Sequence, residues 1–211
     1  MVPLVRAILF LQLWPIAAAA PQLVVPQLHL DFCDNFQLIA HAHSSSSSTL
    51  AESIKGLAVS LSDTGGCGKA LVLSNSGDAA SFYFDMDSTS TKSELPDGIR
   101  GVVISDFIDG RRELRLGCDS TGTPDLGPRI TTQDPGPLLG SIAEGQFYAC
   151  QSRTGPTSTF KLFYNDTKGS VLPNSCLNVS LLSKKTDGSS HGETSFALCC
   201  LDIVNGSCIV S

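Results

Sequence analysis

Eight cysteines lying beyond a secretory-type N-terminus constrain this 211-residue chain more than any other feature. The N-terminus carries Arg6, an apolar run from Ala7 to Trp14, a break at Pro15 and the small residues Ala17 to Ala20, the layout of an export signal. Cleavage after Ala19 puts Ala17 and Ala19 at the two small-residue positions and keeps Pro21 away from the scissile bond, so residues 1–19 are read as a signal peptide. The apolar run is shorter than the ~20 residues of a spanning helix. Cys208-Ile209-Val210-Ser211 is neither a lipid-anchor tail nor a retention signal. A secreted, extracellular product without a membrane anchor is expected. In an oxidising compartment Cys33, Cys67, Cys118, Cys150, Cys176, Cys199, Cys200 and Cys208 read as disulfides. The chain has no Cys-x-x-Cys spacing, and vicinal Cys199-Cys200 is a poor pair of ligands for one tetrahedral zinc. Sequons at Asn165, Asn178 and Asn205 agree with export and mark the expected glycosylation sites.

Only 16% of residues are charged, with 19 Gly and 11 Pro, which argues against long solvated helices. After a Pro-flanked leader, residues 20–35, short alternating apolar runs are separated by turn residues, the pattern of antiparallel strands. Phe36, Leu38 and Ala40 share one strand face, and Leu57, Val59 and Leu61 another. Further runs are Ala70 to Leu73, Ser81 to Met86, Ile99 to Ser105, Glu113 to Leu116, Gln146 to Gln151, Thr159 to Tyr164, Leu177 to Leu182 and Ser195 to Val204. An all-β fold is predicted: one disulfide-stapled domain over residues 36–211, an antiparallel sandwich or barrel of about ten strands. Helix is expected only at Thr49 to Lys55 and Leu138 to Glu144, and long polar loops at Asp85 to Asp97 and Asp119 to Pro137.

From Phe36 onward the motifs resemble a family of small secreted proteins of filamentous ascomycete fungi whose domain is of unknown function. The matching residues are Phe36 to Ala40, Leu61 to Gly68 with its Thr64-Gly65-Gly66 turn, Leu71 to Leu73, Gly145 to Cys150, Leu162 to Tyr164 and Pro173 to Leu181. More distantly the chain is similar to fungal cell-wall proteins of the phialide type. The resemblance implies a fungal secreted β domain associated with the wall, with no catalytic residues to transfer. Because Cys33 and Cys208 lie outside the family-like stretch, they are expected to pair. Cys67 and Cys118, both in glycine-rich loops, form the second expected bridge, and Cys150 and Cys176 take Cys199 and Cys200 in an order left open. A Cys200–Cys208 bond is expected to strain the Asn205-Gly206 hairpin.

Several constellations invite a chemistry and have a plainer explanation. Asp63-Thr64-Gly65 occurs once, whereas an aspartic protease needs two such carboxylates to share a proton; a turn is expected. His41 and His43 sit two apart and are the weak candidates for a Zn or Cu site, lacking an evident third ligand. The pairs Asp85/Asp87 and Asp106/Asp109 are close in sequence and read as turn carboxylates. No G-x-S-x-G elbow is present. Arg111-Arg112-Glu113-Leu114-Arg115 reads as a charged hairpin facing Asp106 to Gly110. With 14 basic against 20 acidic residues, a formal charge of -6, nucleic acid is an improbable partner. The sole Trp, Trp14, lies in the signal, so sugar stacking would rest on Tyr83, Tyr148 and Tyr164. The expectation is a non-enzymatic protein without cofactors. It would bind cell-wall polysaccharide or a host or surface protein, the latter as an effector. The alternative is an extracellular hydrolase of polysaccharide or peptide.

Overall fold

A computed structural model describes residues 30–42, 49–108, 111–130, 136–140, 145–152, 159–167, 171–204 and 207–208. Residues 1–19, read above as a signal peptide, and His43, Asp109 and Asn205 lie outside them. In chain order the strands are β1 (Leu30–Cys33), β2 (Phe36–Ala42), β3 (Ala58–Asp63), β4 (Lys69–Ser74), β5 (Tyr83–Asp85), β6 (Ser90–Leu95), β7 (Gly98–Ile108) and β8 (Arg111–Leu116). They continue as β9 (Gly127–Arg129), β10 (Leu138–Gly140), β11 (Gln146–Ser152), β12 (Thr159–Asn165), β13 (Cys176–Lys185), β14 (Ala197–Cys200), β15 (Ile203–Val204) and β16 (Ser207–Cys208). The helix α1 (Thr49–Ile54) falls where helical spacing predicts one.

Backbone pairing closes a circuit. β13 pairs with β2, β2 with β3, β3 with β4, β4 with β12, β12 with β11, and β11 again with β13, antiparallel at each step. β8 enters where β4 and β12 part, setting Leu116 and Arg115 against Lys69 and Ala70 and setting Glu113 and Arg112 against Phe163 and Tyr164. From β8 the sheet runs through β7 and β6 to β5; from β13 it runs through parallel β14 to β1. The outcome is an all-β fold built on one branched 14-stranded sheet around a ring, not a clean barrel.

Strand alternation turns one side chain in two inward. Phe36 and Leu38 of β2, Leu71 and Leu73 of β4, Leu162 of β12 and Leu181 of β13 are almost wholly buried in one cluster with Leu114 and Leu116 of β8. Full burial of such a side chain stabilises by about 1.5–3 kcal/mol.

Three sequence expectations change. Ser90–Leu95, expected as loop, is a strand whose polar side chains are satisfied internally: Thr91 Oγ1 donates to Leu126 O (2.8 Å) and Ser93 Oγ to Ser81 O (2.8 Å). Leu138–Gly140, expected as helix, is a strand because β9 and β13 offer it backbone partners. The leader read over 20–35 is not all leader, since Leu30–Cys33 pairs along β14.

The structure joins Cys67 to Cys118, as the glycine-rich loops implied. The other pairings are corrected to Cys33–Cys199, Cys150–Cys176 and Cys200–Cys208, in place of Cys33–Cys208 and of bridges from Cys150 and Cys176 to the vicinal pair. Strand geometry gives the reason. Neighbours on a strand face opposite ways, so Cys199 joins the main core with Cys33 while Cys200 faces a separate cluster with Leu182 and Cys208. Cys150 and Cys176 stand directly opposite on β11 and β13. The pairing sets Ile203 against Cys208, but the chain bends at Leu201 before it and brings Cys200 within reach.

Candidate functional site

The β5–β6 hairpin sets Tyr83 opposite Lys92 and Asp85 opposite Ser90, so Tyr83, Asp85, Lys92 and Glu94 share a face. Lys92 Nζ binds Asp85, which also accepts from Ser88 Oγ (2.8 Å) and Asp87 N (3.0 Å). Burial pushes the Asp85 carboxyl up, but these donors outweigh it and hold it below the usual range.

The segment after β13 folds against this hairpin through buried Asn35. Asn35 Nδ2 donates to Ser189 O (2.8 Å), Thr186 N donates to Asn35 O (3.1 Å), and Asn35 Oδ1 lies 3.0 Å from His191 Nε2. Since the amide nitrogen is committed to Ser189, Oδ1 accepts from an Nε2–H, and in the tautomer protonated there Nδ1 is the acceptor. The His191 ring lies flat on Tyr83, with centroids 3.8 Å apart and planes 12° apart. Gly188 leaves no room for a side chain, because a Cβ there would stand 2.5 Å from the Asn35 amide carbon. Between these elements opens a cavity of about 400 Å³ lined chiefly by Asn35, Tyr83, Glu94, Asp187 and His191. Tyr83 is only 6% exposed, and its hydroxyl, without a hydrogen-bond partner among the described residues, is open to the cavity rather than sealed in the core. Burial, then the Asp85 and Glu94 carboxylates, raise its phenol, so it stays protonated and able to donate. Neither Glu94 nor Asp187 has an ion-pair partner among the described residues.

A second recess of about 410 Å³ lies at the β7 irregularity between Ile104 and Phe107, lined by Val103 to Asp106 and Arg115, whose buried Nε has no partner. The basic cluster beside it forms the expected charged hairpin, with Phe107 opposite Arg112 and Ile108 opposite Arg111. Arg112 reaches Asp166 (2.7 Å) and lies over Phe107 and Tyr164, while Arg111 lies over Phe163.

The remaining sequence candidates are dispersed. Asp63 pairs with Lys69 at 2.6 Å and its side chain is 85% exposed, and Thr64 Oγ1 donates to Gly68 O, which makes Asp-Thr-Gly a turn. His41 stands opposite Ser180 on β2, and its sequence partner His43 lies outside the described residues. Among the described residues no three His, Cys, Asp or Glu side chains come together as a metal site would require. Asn165 and Asn178 are half-buried rather than exposed; Asn178 does face away from the core but stands across from Tyr148, whose ring stacks on Phe163 and flanks it. All three tyrosines are buried, and of these Tyr83 alone lines the first cavity. Sequence reasoning missed Asn35, Glu94, Asp187 and His191. Their one local signal is the run Asp187-Gly188-Ser189-Ser190-His191, which is too polar for a strand.

The family model described as Domain of unknown function (DUF7907) matches residues 33–184. No curated protein and no solved structure matches the chain.

Proposed function

The chain belongs to that family, and we propose that it is a secreted fungal β-domain protein that acts by binding at the cell wall or another extracellular surface rather than by catalysis. Four disulfides are compatible with an extracellular protein, and no helix among the described residues is long and apolar enough to cross a membrane. The observation that carries the reading is the cavity, where a Tyr83–His191 stack fixed by Asn35 presents an unpartnered hydroxyl and two carboxylates. Pre-positioned polar groups in a concavity are the usual form of a binding site. Asn165 and Asn178 are the proposed glycan acceptors.

The hydrolase reading draws on one observation, that Glu94 and Asp187 line the same cavity. The test is to follow tagged protein in fungal culture, wall fraction against medium, with His191→Ala and Glu94→Gln variants. Wall retention that falls in His191→Ala supports binding through this cavity. Release of soluble sugar or peptide by the natural protein, lost in Glu94→Gln, replaces that reading with the hydrolase.

A further inference from the structure

We propose that the Asn35–Tyr83–His191 cavity receives a primary ammonium group, held by Glu94 and Asp187 and hydrogen-bonded by the Tyr83 hydroxyl and His191 Nδ1. The proposal rests on reading this cavity as the binding site and adds the chemistry of what enters it.

The acceptors are in surplus. Carboxylates only accept, and His191 Nδ1 accepts because Nε2–H is given to Asn35. The nearby nitrogen donors are committed elsewhere, Asn35 Nδ2 to Ser189 O and Lys92 Nζ to Asp85, and the hydroxyls of Ser81, Tyr83 and Ser189 in the lining can accept as well as donate. A –NH3⁺ group brings three donors and a charge to this arrangement. An anion would meet two like charges without a compensating cation.

Tyr83 is an independent indication. The Tyr83 residue is only 6% exposed and lines the cavity, and its hydroxyl, which has no partner among the described residues, is not sealed in the core but open to what enters the cavity. An ammonium that donates to the phenol oxygen would satisfy it, and the phenol proton could then turn to a carboxylate.

A lysine side chain and a deacetylated amino sugar both present this chemistry. The experiment therefore titrates the isotopically labelled, disulfide-intact protein with Nα-acetyl-lysine methylamide, methyl glucosaminide and methyl glucoside, following the ring resonances of Tyr83 and His191. One or both amines should shift those resonances at concentrations where the glucoside does not, and whichever does so identifies the source. Glu94→Gln, an exposed position, should weaken amine binding by about tenfold. Tyr83→Phe keeps the ring stack and should weaken it less. If the glucoside shifts the resonances as strongly as the amines, or Glu94→Gln changes nothing, the ammonium assignment fails while the cavity remains a binding site. If no probe shifts either ring, the cavity reading fails with it.

Discussion

The strand ring and the cavity are held by opposite means. The ring of β2, β3, β4, β12, β11 and β13 closes over Phe36, Leu38, Leu71, Leu73, Leu162 and Leu181, so its cohesion is apolar burial, which is large and non-directional. The cavity depends on Asn35 reaching Ser189 and His191, 154 and 156 positions away, and on Ser195 Oγ donating to Phe84 O (3.3 Å). Such bonds are individually modest and sensitive to geometry. Scaffold and site in this molecule can therefore fail separately.

The largest effect tests the link between them. Cys33 lies two residues before Asn35, and its bond to Cys199 encloses 166 positions, whereas Cys200–Cys208 encloses 8. In the chain-entropy account these loops are worth about 5 and about 2.5 kcal/mol. Cys33→Ser/Cys199→Ser should lower the denaturant midpoint well beyond Cys200→Ser/Cys208→Ser; equal losses would show that the long bridge does not organise the fold. Next comes the ring itself. Leu162→Ala should cost about 2–5 kcal/mol in one cooperative transition, and it should leave the Tyr83–His191 ring contact intact below the midpoint, as read by nuclear Overhauser effects. Asn35→Ala should cost less, about 1–3 kcal/mol, and should act locally. Amides of 186–192 should exchange faster while those of β4 and β12 keep their protection. Equal loss of protection in both regions would break the distinction.

The same contrast explains what could be read from the chain. Ring strands advertise themselves, because Phe36, Leu38 and Ala40 alternate and their inward face is visible as a period of two. The hairpin strand Ser90–Leu95 does not, since its inward residues include Ser90, Thr91 and Ser93, whose burial is acceptable only with distant partners such as Leu126 O and Ser81 O. His191 and Asn35 have no local signal of their meeting. The disulfide error is of a different kind, for the vicinal cysteines lie on a predicted strand and period-two geometry already forbids both from entering one core. That constraint is legible in the sequence, where the start of the family-like stretch at Phe36 points to a different pairing.

The smallest effect concerns charge, and it falls on the cavity side of the comparison. Burial raises the Asp85 carboxyl, but hydrogen bonds from Lys92, Ser88 and the Asp87 amide bring it below its ordinary value. A lowered folded value means that the ionised form is the one the fold favours. Its stabilisation is complete above the unfolded carboxyl value, near 4, and is lost as pH falls through that value toward the folded one. Asp31 and Asp202, held down first by hydrogen bonds from Lys185 and Lys184, act in the same direction. Melting temperature should therefore decline on acidification below about pH 4, and Asp85→Asn should make the decline shallower without abolishing it. Leu162→Ala gives the opposing control. Its loss of stability is far larger, but it touches no titrating group, so its melting curve should move down by a similar amount at every pH. A variant at Leu162 that changed the pH slope, or one at Asp85 that did not, would mean that the polar hairpin and the apolar ring are not separable in the way their contacts indicate.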